Sequence, residues 1–405
     1  MRRAAWIFLL IYVFTIPWEY SLDLGAPFGN IARMVGLLLL IVAIPALLQA
    51  GRMRTPNLLQ WLALTLYLWF ACTCFWTIDS LTAAGKMRGY AQQMMILWLV
   101  WEFVSDQREV RAILQMWLAG SWVLAALTIA DLSSAAAITT GQVRFAAVGQ
   151  DPNDVARFLD LGFPVAVLLL DQEKRWSRRA LAIGYFPFGV AAVLLTASRG
   201  GFLAALVATI GCAVVLFRSQ FRVVLHGFFA LPLVAAGLWL LVPHETLGRL
   251  ATIPEQLQGG DLNQRLNIWE AGWRAFVSAP FFGHGVGSFV GAAGLASIDT
   301  AHNTALSILV EAGICGLSLA LAIVAVSIHS VLQMRGTLRM ALLTLLSVWI
   351  VSSLVGTLFE SRTTWLMFGV IAVAARLTTQ PRTSFIPLLE PPNGLMDDAK
   401  IVRAL

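Results

Sequence analysis

The 405-residue chain is 59% hydrophobic and only 12% charged, which excludes an ordinary soluble protein, whose charged fraction is about twice that. Apolar runs of the length found here must be helical, because lipid offers backbone groups no outside partner, and the short alternating segments of a β-barrel are missing. The net charge of +6 reads first as a topology signal and argues little for a nucleic-acid partner.

Residues 1–18 open Met-Arg-Arg and run apolar to Trp18. No small-x-small cleavage site follows, so this reads as an uncleaved first span and not a signal peptide. Further apolar runs lie near 31–49, 57–78, 89–104, 110–131, 154–170, 180–197, 201–217, 223–243, 303–333, 340–359 and 363–378. At about 20 residues per crossing, they predict an all-α polytopic membrane protein of about twelve spans. The stretch Ala180–Phe217 carries one charge, Arg199, and is close to two spans long. It must turn back at 196-TASRGG-201, where two glycines permit a tight hairpin. Cys72, Cys74, Cys212 and Cys315 fall inside apolar runs and are expected to be buried small hydrophobes, with no disulfide framework and no metal site.

Lys and Arg concentrate in alternate loops, which puts both termini in the cytoplasm and turns the connections 132–153 and 244–302 outward. Three regions follow: N-terminal helices 1–5 over 1–131, a membrane region over 132–378 that includes the outward loop 244–302, and a flexible, proline-containing tail over 379–405. Within the loop, 263-NQRLNIWEAGWRAFVS-278 predicts an amphipathic helix with Arg265, Trp269, Trp273 and Phe276 on one stripe, suited to the headgroup level. The following 280-PFFGHGVGS-288 is glycine-rich. It lacks the preceding strand and the lysine of a nucleotide loop.

Ten of the 28 basic residues face outward against the topology rule: Arg33, Lys86, Arg88, Arg144, Arg157, Arg199, Arg249, Arg265, Arg274 and Arg362. Arg199 interrupts the longest uncharged stretch and marks a candidate site, although an arginine at a helix end can also snorkel to headgroup phosphates. Arg265 is open to the same two readings. His302 starts the tenth run, where a helix N-terminus favours anions and a neutral imidazole able to take a proton; the alternative is a plain polar helix start capped by Asn303. Glu311 lies deeper and near the opposite helix face, which suits an internal polar partner. Glu270 four residues before Arg274 predicts a surface ion pair, and Asp151-Pro152-Asn153 has the form of a helix cap. His226 and His329 fall on the cytoplasmic side, away from the arginines.

Outward-facing arginines beside one histidine suit a lipid-borne pyrophosphate, because guanidinium groups bind phosphate bidentately and can stabilise a leaving diphosphate electrostatically. The segments 196-TASRGGFLAAL-206, 301-AHNTALSILVEAGICGL-317, 144-RFAAVGQDPN-153 and 265-RLNIWEAGWRAF-276 through 283-GHGVGSF-289 resemble the hallmark motifs of the O-antigen ligase / O-antigen polymerase superfamily. The likeness covers about residues 140–375, and the first five spans match in general character alone. It implies a bacterial inner-membrane glycosyltransferase without metal or other cofactor. Such an enzyme performs inverting transfer on the periplasmic face from a glycan on undecaprenyl pyrophosphate. Carried over by position, Arg199 and Arg265 would bind the pyrophosphate and His302 would activate the acceptor hydroxyl. Arg144, Asn303, Glu360 and Arg362 are weaker candidates.

A ligase would move the glycan to the lipid A core; a polymerase of O-antigen or exopolysaccharide would move it to another lipid-linked repeat. The ligase is favoured by the well-formed Ser-Arg-Gly-Gly and His-Asn segments. A lipid-linked glycan transporter is the reading from another class, but transporters tend to show repeated halves and midplane polar groups, and this chain has neither pattern.

Overall fold

The computed structural model describes residues 1–25, 29–134, 143–258, 260, 264–296, 300–379 and 385–387. A helix covers each predicted apolar run. The first nine are α1 (Arg2–Thr15, continued by a 3-10 turn at Ile16–Ser21), α2 (Ile31–Ala50), α3 (Leu58–Thr73), α4 (Ser80–Phe103), α5 (Gln107–Ala130), α6 (Pro152–Gln172), α7 (Trp176–Leu195), α8 (Arg199–Ser219) and α9 (Phe221–Leu241). Short helices α10 (His244–Ala251) and α11 (Ile253–Gln258) lead to α12 (Arg265–Ser278) and α13 (Phe289–Ala293). Last come α14 (Thr304–Leu332), α15 (Gly336–Ser353) and α16 (Arg362–Thr379). The strands β1 (Arg52–Arg54) and β2 (Phe385–Pro387) pair antiparallel with Met53 opposite Ile386. The rest of the predicted flexible tail lies outside the described residues.

Among the described residues, eight helices are long and apolar enough to cross a membrane, so this is a mostly helical membrane protein. Helix starts are fixed by side-chain caps: Asn30, Asn57, Asp79, Asp106, Asp151, Ser198 and Asn303 each accept a hydrogen bond from the first turn they precede. Helix α6 is buried along most of its length. Helix α9 buries no residue and lies on the outside, where its apolar surface suits lipid.

Contacts sort the helix ends into two sets. At one end Arg2 and Arg54 both donate to Ser105 Oγ, at 2.9 and 2.8 Å, and Arg376 donates to the Trp101 carbonyl at 2.9 Å. Arg179 ties the end of α6 to Gln220, past α8, through Leu170 O (2.9 Å) and Gln220 Oε1 (3.1 Å). The start of α1 and strand β2 both lie here. At the other end the turn after α1 meets the starts of α2 and α16 through Glu19, which accepts from Asn30 (3.3 Å) and pairs with Arg362. Arg144 there caps the end of α7 by donating to Thr196 O at 3.2 Å.

Three expectations are corrected. The hairpin at 196–201 exists, but its left-handed residue is Ala197 (φ 47°) and neither glycine. Gly200 and Gly201 instead belong to the first turn of α8, where a Cβ on Gly201 would collide with Ala156 and one on Gly200 would stand 2.8 Å from Val355. Close approach of helices, and not a special dihedral, is what requires them. Cys72 and Cys74 are exposed, since they lie on the outer side of the last turns of α3; Cys212 is buried.

The third correction concerns the run 303–333, which is not one continuous helix. Gly313 sits at φ 65° and ψ −166° and breaks α14. Carbonyls released by the break find other donors: His284 N reaches Val310 O (2.8 Å), Gly285 N reaches Glu311 O (3.0 Å), and Trp69 Nε1 reaches Ala312 O (3.0 Å). The glycine-rich loop 283–287 is therefore a splice against this break, with Gly283 at φ 70° pressed on the Glu311–Ala312 backbone.

Because a Cβ at Gly313 would meet the Phe281 carbonyl at a dihedral that suits only glycine, Gly313→Ala should destabilise the protein by about 2 kcal/mol or more. Gly227→Ala, where a Cβ meets open space in the interior of α9, should not destabilise it and should add up to about 1 kcal/mol. Thermal unfolding in detergent compares the two, and equal melting temperatures would contradict the splice.

Candidate functional site

The sequence places guanidinium groups on five separate elements, and the fold brings them to one end. Arg144 lies in the loop before α6, Arg157 in the second turn of α6, Arg199 at the start of α8, Arg249 in α10 and Arg265 at the start of α12. Arg199 donates to Thr252 Oγ1 at 2.6 Å and to the Arg249 carbonyl at 3.4 Å, which ties α8 to the α10–α11 turn. Arg144 donates to Asn153 Oδ1 at 3.0 Å, and Ser198 Oγ donates to the same oxygen at 2.9 Å. Asn153 thus links the Arg144 loop to the residue that precedes Arg199. The expected cap is present, with Pro152 at the first helical position and Asn153 N donating to Asp151 at 2.8 Å.

Electrostatics confirm the grouping. Burial, followed by the charges of Arg249, Arg265 and Arg199, holds Arg144 below the usual guanidinium range, and Asp151 opposes them. Burial lowers Arg249 too, with Arg199 adding to it, and burial lowers Arg265 against the pull of Asp151. Guanidinium groups do not give up their proton at these depths. The consequence is mutual repulsion, which an anion placed among them relieves.

His302 stands immediately before the cap of α14 with φ 44°, a left-handed conformation that is costly for a side chain of its size. The surroundings dictate it. Trp269 Nε1, one turn beyond Arg265 on α12, donates to Ala301 O at 3.0 Å. Asn303 accepts from Leu306 N (2.9 Å) and donates to Leu354 O (3.3 Å); Thr304 Oγ1 donates to Gly356 O (2.6 Å) and accepts from Leu358 N (2.9 Å). Residues 354–358 also meet Gly200 through Val355 and press Gly356 against Arg157. One loop is therefore gripped by the start of α14, the start of α8 and the second turn of α6.

The stripe predicted on α12 is only partly the contact face. Ile268, Ala271, Gly272 and Ala275 are buried against α13 and α14, while Trp273 is exposed. Small residues there let α12 approach Leu306 and Phe289 closely. The Arg274–Glu270 pair forms as expected at 2.6 Å, with both side chains about two-thirds exposed (68% and 69%).

The weaker candidates divide. Arg144 joins the arginine group. Asn303 is the α14 cap. Glu360 and Arg362 stand on a separate, ion-paired side: Lys86 Nζ lies 2.7 Å from both Glu311 and Glu360, and Arg362 pairs with Glu19 and donates to Gln92 Oε1 at 2.5 Å. Glu311 is the internal polar partner expected of it. Sequence reasoning did not single out Arg157, Arg249 or Lys86 as site residues. All three were among the ten basic residues that the charge pattern predicts to face outward, and that excess was the signal that could have found them.

Residues 184–321 match the family model described as O-Antigen ligase. Over that stretch the chain is similar to the O-antigen ligase/polymerase superfamily. The match is narrower than the likeness read from the motifs: it holds Arg199, Arg249, Arg265, His302 and Glu311, and leaves Lys86, Arg144, Arg157, Glu360 and Arg362 outside. No curated protein and no solved structure matches the chain.

Inorganic pyrophosphate should raise the melting temperature of the purified protein, since an anion bound to the folded state stabilises it by mass action. Arg199→Ala and Arg265→Ala should lose most of that rise, and Arg274→Ala should keep it. An equal rise in all four proteins would show that the arginine group is not the anion site.

Proposed function

We propose that the chain transfers a glycan from undecaprenyl pyrophosphate to an acceptor hydroxyl on the periplasmic face of the bacterial inner membrane. In this reading the membrane region has twelve spans and both termini are cytoplasmic. The convergence of Arg144, Arg157, Arg199, Arg249 and Arg265 beside the His302 helix start carries the proposal. These residues approach from separate elements, as enclosing a diphosphate requires and anchoring to a flat headgroup layer does not.

Chemically, the acceptor oxygen forms a bond to the anomeric carbon as the bond from that carbon to the diphosphate oxygen breaks. The acceptor proton passes to His302, and undecaprenyl pyrophosphate leaves with the electron pair of the broken bond. Attack opposite the leaving group inverts the anomeric centre. Arginines stabilise the charge that develops on the leaving diphosphate, the part of the barrier that fixed dipoles and charges lower most. His302, next to the start of α14, is the general base in this reading.

The acceptor proposed is the lipid A core oligosaccharide, which makes the protein a ligase. A polymerase using a lipid-linked repeat shares the same donor chemistry. Arg199→Ala and His302→Ala should each reduce transfer at least a hundredfold while the protein still inserts. Wild-type rates in His302→Ala would remove its role as base. A deletion strain separates the acceptors: loss of a ligase strands polymer on undecaprenyl pyrophosphate, whereas loss of a polymerase leaves single repeats.

A further inference from the structure

Opposite the arginines, across the 354–361 loop, the same end of the bundle carries a wall of different chemistry. Lys86 Nζ bridges Glu311 Oε1 and Glu360 Oε1, at 2.7 Å each. The two carboxylates are not equivalent. Glu311 is 2% exposed and also receives the Gly287 N–H, whereas Glu360 is 33% exposed. The second oxygen of Glu360, Oε2, makes no hydrogen bond among the described residues. Its backbone is fixed, because Gln93 Nε2 donates to the Glu360 carbonyl and Ser361 N donates to Leu358 O at 3.0 Å. Gln93 is almost fully buried, and the oxygen of that same amide has no partner. Beside it, Arg362 is neutralised by Glu19 and held by Gln92.

This wall offers acceptors next to charge-balanced donors, whereas on the arginine side five guanidinium groups outnumber the carboxylates Asp151 and Asp154. A diphosphate gains nothing from it, since Glu360 would repel it. Sugar hydroxyls fit, because each can donate to a carboxylate oxygen while accepting from an ammonium or amide. Position agrees with this. Gly356 touches Arg157 and Thr304, and Glu360 follows four residues later, at most about 14 Å along the chain. That reach is on the scale of one to two sugar rings.

We infer that Glu360, oriented by Lys86, binds a hydroxyl of the acceptor glycan and so aligns the acceptor toward His302, with the diphosphate held on the other side of the loop. This rests on the transferase reading above and extends it to the acceptor. Lys86 is a positioning residue in this scheme and Glu360 a binding residue.

The test uses full-length protein in detergent and two measurements. Binding of delipidated core oligosaccharide, or of the free repeat-unit oligosaccharide, from the strain that expresses the protein is measured without donor. Transfer is measured with the lipid-linked glycan from that strain. Glu360→Gln keeps size and can still accept from Lys86, but it puts a donor where Oε2 stood. It should weaken binding of one of the two oligosaccharides about tenfold and raise the acceptor KM by a similar factor. The donor KM should stay unchanged. Lys86→Arg should retain much of the pairing and bind within about threefold of wild type, and Arg199→Ala should bind the oligosaccharide normally. Glu360→Gln binding both oligosaccharides like wild type, or raising donor and acceptor KM together, would overturn the inference. Oligosaccharide binding that depends on Glu360, in a wild-type protein that forms no glycosidic bond, would instead sink the transferase reading and leave the glycan site standing.

Discussion

Arginines brought within reach of one another repel, and they cannot escape by deprotonation as a lysine can. The charges of Arg199, Arg249 and Arg265 help to lower Arg144, and that of Arg199 helps to lower Arg249, so the fold must hold the group together by other means. Those means are short and local. Asn153 receives both Arg144 and Ser198, Thr252 receives Arg199, and Asp151 supplies an opposing charge from the cap of α6. Arg144 and Arg199 are thus anchored at helix ends, and the helices set the spacing. A site built this way is organised before its ligand arrives, which is the condition for electrostatic stabilisation of a leaving group without reorganisation.

The break in α14 serves the same end of the bundle. A continuous helix from His302 to Leu332 would leave no carbonyls for the 280–287 loop, and that loop would lose its seat. With Gly313 out of helical conformation, the loop docks, Gly287 reaches Glu311, and Glu311 holds one side of Lys86. Glu360 then receives a Lys86 already fixed in position. The chain of dependence runs from one backbone dihedral to the orientation of a half-exposed carboxylate.

Among the described residues, each apolar run located a long helix, though α4 begins nine residues before its run, because lipid leaves so few choices for an apolar backbone. The cap at Asp151, the Arg274–Glu270 pair and the partner role of Glu311 were also legible, since each depends on neighbours in sequence or on the cost of burying a charge. What could not be read was contact between distant elements. That Ala197 carries the strained turn, and that Gly200 and Gly201 are small for the sake of Val355 and Ala156, follows from packing across 45 residues or more of chain. Arg157 and Arg249 belong with Arg199 for the same reason: their place in the group depends on how α6, α8 and α10 pack, and no local pattern encodes that. The break at Gly313 was hidden because a single glycine inside an apolar run costs a helix about 1 kcal/mol and is usually tolerated.

The two sides of the 354–361 loop give a physical reason for keeping donor and acceptor apart. A diphosphate and a neutral glycan compete poorly for the same groups: the first wants donors and positive charge, the second wants acceptors interspersed with donors. Were Glu360 unpaired, this side of the loop would carry a second uncompensated carboxylate beside Glu311. Lys86 screens that charge and leaves one oxygen of Glu360 for hydrogen bonding. An ion pair in this place is therefore more than a stabilising contact. In the transferase reading proposed above, a side that is close to neutral makes the arginine side the better seat for a diphosphate, with the acceptor aligned toward His302.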